Sequence, residues 1–149
     1  MQWLFLVTTL FDQGKNLLEE GTVDDIIKLF NSALNTVSYD DYPIVSESSV
    51  QNMLKLYLLG AHQEVLSEVH EAKGRADLVV NTDNRRIVFE FKYANNDTEA
   101  KSKLSEAVEQ IKSRDYGNIL PKKHELLRIA AVFNADPKVR AFTEYQIVP

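Results

Sequence analysis

The chain has 149 residues, 44% of them hydrophobic, with no cysteine and a net charge of −5. That size and apolar content suit one domain with a core of ordinary size, and the missing cysteines exclude disulfides and thiolate chemistry. The acidity argues against a general nucleic-acid coat protein, but residues 1–72 carry net −8 and residues 73–149 net +3, so any phosphate-facing surface is expected in the second half.

The opening MQWLFLVTTLF is apolar but has no basic leader or small-residue cleavage site, and it is too short to span a bilayer. It reads as a buried helix or strand of a soluble, cytoplasmic protein. Thr22 followed by Asp25 marks a helix start, and Ile26, Ile27, Leu29, Phe30, Ala33, Leu34 and Val37 recur at helical spacing, so a helix is predicted over about 23–36. YDDYP (39–43) is a loop. Ser46 or Ser48 caps a second helix that carries Val50, Met53, Leu54, Tyr57 and Leu58 and ends near Gly60.

From about residue 63 the period changes to two, which gives a first strand around 65–69 and then a hairpin over 75–93. Residues 97–115 return to helix, and Gly117 and Pro121 break it. LLRIAAVF (126–133) is a continuous apolar run, as expected of a strand buried on both faces. NADPK (134–138) is a turn, and TEYQIV (143–148) is an edge strand. The order α-α-β-β-β-α-β-β predicts a small α/β layer domain. The soft boundary near 38–46 separates an N-terminal helical segment, 1–45, from the main domain, 46–149.

The hairpin GRADLVVNTDNRRIVFEFKYA (74–94) holds charged residues inside its apolar runs. A turn symmetric about Asp83-Asn84, where Asn tolerates left-handed backbone, sets Leu78 opposite Phe89, Val80 opposite Ile87 and Ala76 opposite Phe91 on one apolar side. The other side then opposes Val79 to Val88, Asn81 to Arg86 and Asp77 to Glu90, with Lys92 two residues on. A one-residue slip would mix the faces, which favours this register. Two carboxylates in such proximity repel. Either Lys92 and Arg75 neutralise them on a solvated face, or Asp77 and Glu90 hold a hard divalent cation such as Mg²⁺ (or Mn²⁺), whose water can attack a phosphodiester.

The pattern Gly74-Arg75-x-Asp77, then Glu90-Phe91-Lys92, resembles the PD-(D/E)XK nuclease superfamily. More narrowly, it resembles the bacterial branch fused behind an AAA-type ATPase-like domain. AVEQIKSRDY (107–116) is similar to the family's following helix, with Gln110 and Tyr116 at its Gln and Tyr. SESSVQNMLKLYLLG (46–60) is similar to the preceding helix, with Glu47 at its acidic position. The resemblance covers about 46–149 and implies a restriction-endonuclease-like core, a mixed sheet flanked by helices (α-β-β-β-α-β), behind an extra N-terminal helical segment. The pattern departs from the family at Ala76, where the signature has proline. DQGKNLL (12–18) lacks the G-x-x-x-x-G-K-[ST] of an ATPase phosphate loop, so the chain is expected to be a stand-alone nuclease-like domain, a fragment or a degenerate remnant.

By that resemblance Asp77, Glu90, the Phe91 carbonyl and Glu47 would bind the metal. Lys92 would orient the attacking water and stabilise charge rather than act as the base, and Gln110 and Tyr116 would stand behind the site. Arg75, Lys112, Arg114, Lys122 and Lys123 are the proposed nucleic-acid contacts, together with Lys101, Lys103 and the PKKHELLR stretch (121–128). Each has a plainer reading as well. Glu47 lies in a first helical turn, where a carboxylate is stabilised by the dipole alone, and basic residues on a helix are commonly just solvated. Glu68 reads as a solvated strand carboxylate. His62, His70 and His124 have no metal-ligand spacing and are assigned no chemistry.

Two functions of different class follow. One is a Mg²⁺-dependent nuclease acting on DNA. The other is an inactive nuclease-fold module that binds nucleic acid or a protein partner, such as an ATPase-like chain. A membrane partner is not expected.

Overall fold

A computed structural model of the chain describes residues 14–37, 40, 41, 43–61, 63–71, 74–118 and 121–149, with the backbone alone for the strand residues between 67 and 75. The opening MQWLFLVTTLF, His62 and two residues of the YDDYP loop lie outside the described residues. So do the side chains of Glu68, His70 and Arg75.

After a helical stretch over residues 14–20 come α1 (Val23–Asn35) and α2 (Glu47–Gly60), then β1 (Glu64–Glu71), β2 (Gly74–Asn81) and β3 (Arg85–Ala94). α3 (Asp97–Arg114), β4 (Glu125–Asn134) and β5 (Ala141–Ile147) complete the order. It is the order predicted from the hydrophobic periods. Thr22 and Asp25 form a reciprocal capping box at α1, Ser46 and Ser49 form one at α2, and Asn96 accepts the Glu99 N–H at α3. Ser46, not Ser48, is therefore the cap of α2.

The five strands form one mixed sheet in the order β1-β2-β3-β4-β5. β3 and β4 are parallel along their whole length, from Arg85–Glu125 to Ala94–Asn134, and α3 makes the crossover that a parallel pair needs. The other neighbours are antiparallel, and β5 closes one edge. One face of the sheet packs against α1 and α2 through Leu78, Val80, Ile87, Phe89, Phe91 and Phe133, and Phe30 of α1 lies 5.2 Å from Phe89 ring to ring. The other face packs against α3 through Val79, Val88, Ala107, Ile111 and Tyr116. This is a restriction-endonuclease-like α/β core. Among the described residues no helix is long and apolar enough to cross a membrane.

The hairpin takes the expected register over Leu78–Phe89, Val79–Val88, Val80–Ile87 and Asn81–Arg86. Its turn differs from the expectation. Non-glycine residues with positive φ, among those described, are Asp115 and Arg140, so neither Asp83 nor Asn84 uses left-handed backbone. Glu19 instead reaches in from the 14–20 helix and accepts both the Asp83 and Asn84 N–H groups at 3.2 Å. The turn is held by a contact 64 residues away in sequence, which no local signal encodes. Ala76 also departs: it packs in the cluster under α3 rather than with Phe91, because the two strands separate before reaching it.

Candidate active site at a fork in the sheet

The ladder between β2 and β3 stops at Leu78–Phe89, one pair short of the opposition expected between Asp77 and Glu90. Beyond that point β2 stays with β1 as far as Glu71–Gly74, and β3 stays with β4 as far as Ala94–Asn134. The sheet therefore forks. Side chains hold two backbone groups there: Asp77 Oδ2 accepts the Phe91 N–H at 2.9 Å, and Gln51 Nε2 of α2 donates to the Asp77 carbonyl at 2.8 Å. The Asp77 carboxylate is thereby pinned beside β3 rather than left to swing in solvent.

Glu90 is the unusual member. It is 2% exposed, and its Oε2 is buried with no hydrogen-bond partner among the described residues. Burial first, then the charges of Asp77 and Glu47, push its carboxyl up from 4.5 to about 8, against the opposing pull of Lys92 and Arg114. The Lys92 ammonium stands 3.7 Å from Glu90 Oε1, too long for a good hydrogen bond, and donates to Gln110 Oε1 at 3.2 Å. Gln110 Nε2 in turn donates to the Tyr116 hydroxyl at 3.4 Å, and Arg114 Nη1 donates to that same hydroxyl at 2.9 Å.

The end of α3 explains how Tyr116 gets there. Asp115 caps the helix in left-handed backbone (φ 47°), and Gly117 follows at φ 86°. A Cβ on Gly117 would lie 2.5 Å from Val88 Cγ2, so only glycine lets the chain fold back this tightly. The turn buries the Tyr116 ring completely under the sheet. Arg128 of β4 fastens it by donating to the Tyr116 carbonyl at 2.7 Å and pairing with Asp115.

The structure thus gathers Asp77, Glu90, Phe91, Lys92, Gln110, Arg114 and Tyr116 between the fork and α3. Glu47 is exposed in the first turn of α2 and is felt by Glu90 through its charge. Other basic candidates with described side chains make their contacts elsewhere. Lys112 pairs with Glu109 at 3.9 Å on the exposed side of α3, and Lys103 pairs with Glu106 at 3.2 Å. Lys122 bonds Asn118, while Lys123 lines a polar cavity of about 550 Å³ at the hairpin turn with Lys15, Glu19 and Asn84. That end of β3 is several residues from Glu90, roughly 3.3 Å apiece. Arg128, part of the expected basic stretch, is turned inward. Gln51 escaped the sequence reading, although it sits one helical turn beyond Glu47 and so on the same face of α2.

The donors at the fork are hard oxygens, which suits Mg²⁺ or Mn²⁺, and the orphaned Glu90 oxygen is the atom a cation would satisfy. Among the described residues no three His, Cys, Asp or Glu side chains cluster closely enough to form a ready metal cage. A small cation that keeps most of its waters does not require one.

A family model described as the PD-(D/E)XK nuclease superfamily matches residues 45–143, which takes in α2, β1 to β4, α3 and the start of β5. No curated protein matches the chain.

Proposed function

The chain belongs to the PD-(D/E)XK nuclease superfamily, and on that premise we propose that it is a divalent-metal-dependent nuclease that hydrolyses DNA phosphodiester bonds at the fork. The observation that carries the reading is the buried, unpartnered oxygen of Glu90 beside Asp77 and Lys92. A carboxylate is costly to keep in such a place without a compensating charge. Asp77, Glu90, the Phe91 carbonyl and Glu47 would hold Mg²⁺ or Mn²⁺. When bound, the ion polarises a phosphoryl oxygen and lowers the pKa of a coordinated water.

The chain's own groups do the rest. Asp77 keeps the fork open at a fixed width by holding the Phe91 N–H. Lys92 is a donor-only cation anchored to Gln110; it orients the attacking water and offsets negative charge growing on the phosphorus oxygens. Gln110 and Tyr116 keep Lys92 in place from behind.

The test is plasmid nicking by purified protein in Mg²⁺ and in Mn²⁺, with Lys92→Ala as control. Nicking by the wild type and its loss in the variant are expected. A clean wild-type protein that cuts no DNA and takes up neither ion ends this reading.

The absence of a carboxylate cage among the described residues and the net charge of −5 favour a second reading, a non-cutting module that binds nucleic acid or a protein. Its signature is a partner captured equally by the wild type and by Asp77→Ala.

A further inference from the structure

We propose that Arg114 is a positioning residue that sets, through Tyr116 and Gln110, the place of the Lys92 ammonium at the fork. Its kinetic consequence rests on the nuclease reading above; its structural consequence does not.

Hydrogen-bond polarity links these groups. Lysine and arginine only donate, a carboxamide has one donating and one accepting end, and a phenol can do either. The chain runs from the Lys92 ammonium to Gln110 Oε1, from Gln110 Nε2 to the Tyr116 oxygen, and from Arg114 Nη1 to that same oxygen. It has donor-only cations at both ends. The Arg114 bond, at 2.9 Å, is shorter than the 3.4 Å bond from Gln110 and is assisted by charge. In this arrangement the Tyr116 oxygen accepts from both neighbours, which leaves the Gln110 amide oxygen for Lys92.

Without Arg114, the phenol oxygen loses its charge-assisted donor, and Tyr116 no longer holds the Gln110 amide in a fixed place. The Gln110 oxygen and the Lys92 ammonium bound to it then shift from their place beside Glu90. Gln110 and Arg114 are four residues apart on α3, hence on one face. The left-handed turn at Asp115 and Gly117 brings Tyr116 back to them. Arg114 is partly exposed at the rim of the site, which is why sequence alone assigns it to phosphate.

The test combines Arg114→Met, Arg114→Lys, Tyr116→Phe and the Arg114→Met/Tyr116→Phe double variant in cleavage assays. Arg114→Met should lower kcat about tenfold with KM for DNA unchanged, and Arg114→Lys, which keeps a donor, should recover most of the loss. In the Tyr116→Phe background the Arg114 change should add less than about twofold, because the two act as a unit. A rise in KM with a flatter salt dependence, additive with Tyr116→Phe, would mark a phosphate contact and overturn the proposal. A second readout needs no cleavage. Side-chain ¹⁵N signals of the Gln110 amide and the Lys92 ammonium should shift in Arg114→Met, while the Val108 methyls stay put. Unmoved signals overturn the proposal even in a protein that cuts nothing. Shifted signals with an inactive wild type would support it while sinking the nuclease reading.

Discussion

Two buried ionisable side chains four residues apart on β3 have opposite surroundings. Arg86 is 3% exposed and donates to Asn81 Oδ1 at 2.9 Å, to the Gly117 carbonyl at 3.2 Å and to the Pro121 carbonyl at 2.7 Å. Its neighbour Arg85 does the same for the N-terminal side, donating to the Leu18 and Gly21 carbonyls and to Glu125. Glu90 is equally buried and leaves one oxygen bare. A fold that satisfies its arginines this fully at the turn end, and leaves a carboxylate unsatisfied at the fork end, is braced at one end and poised at the other. Charge in the first region is structural; in the second the bare oxygen is what the proposed metal would satisfy.

The largest effect that would sharpen this contrast is on cleavage. Asp77→Asn keeps an acceptor for the Phe91 N–H but removes a charge of the proposed metal site, so on the nuclease reading nicking should fall about a thousandfold or more with the far-ultraviolet spectrum unchanged. Retention of wild-type rates would dissolve the distinction. Arg86→Met should do the reverse. It removes the donor from the buried Asn81 amide oxygen and Gly117 carbonyl and from the part-buried Pro121 carbonyl, and should cost roughly 3 kcal/mol in urea unfolding. At low temperature, the specific activity of the folded fraction should be unchanged.

The same contrast separates what was legible in the sequence from what was not. The element order was legible because each segment has a clear period, and the hairpin register because a slip would mix its faces. Asp77, Glu90, Lys92, Gln110 and Tyr116 could be named together through their resemblance to a nuclease family, and the fold brings them to one place. The fork itself was not legible. It arises because β1 holds one strand and β4, some forty residues further along the chain, holds the other. Nor could the Arg85-Arg86 pair be read as anything but polar residues near a turn, since their partners are backbone carbonyls of distant loops. Side chains that bond backbone leave no signature of residue type at the other end.

The next prediction concerns pH. Glu90 titrates near 8 in the folded chain against 4.5 ordinarily. Folding therefore favours its protonated form. The stability it contributes is fully present below about 4.5 and is lost as pH rises through about 8. Glu90→Gln has no such loss, so without metal the variant should overtake the wild type on going from pH 5 to pH 9, by about 1–3 kcal/mol at the alkaline end. Parallel pH profiles in urea melts would mean that the Glu90 oxygen is satisfied after all.

The smallest effect tests whether the poised end is poised for a cation in particular. A ligand that binds only the folded state at ten times its Kd stabilises by about 1.4 kcal/mol. Mg²⁺ at that level should raise the Tm of the wild type and of Arg86→Met by comparable amounts, because Arg86 lies at the braced end, and should leave Asp77→Asn and Glu90→Gln unmoved. The wild-type gain should also grow between pH 6 and 8, since the ion must displace the Glu90 proton to bind. An equal rise in all four proteins would indicate general screening of an acidic chain, and the bare oxygen would then have to be explained without a metal.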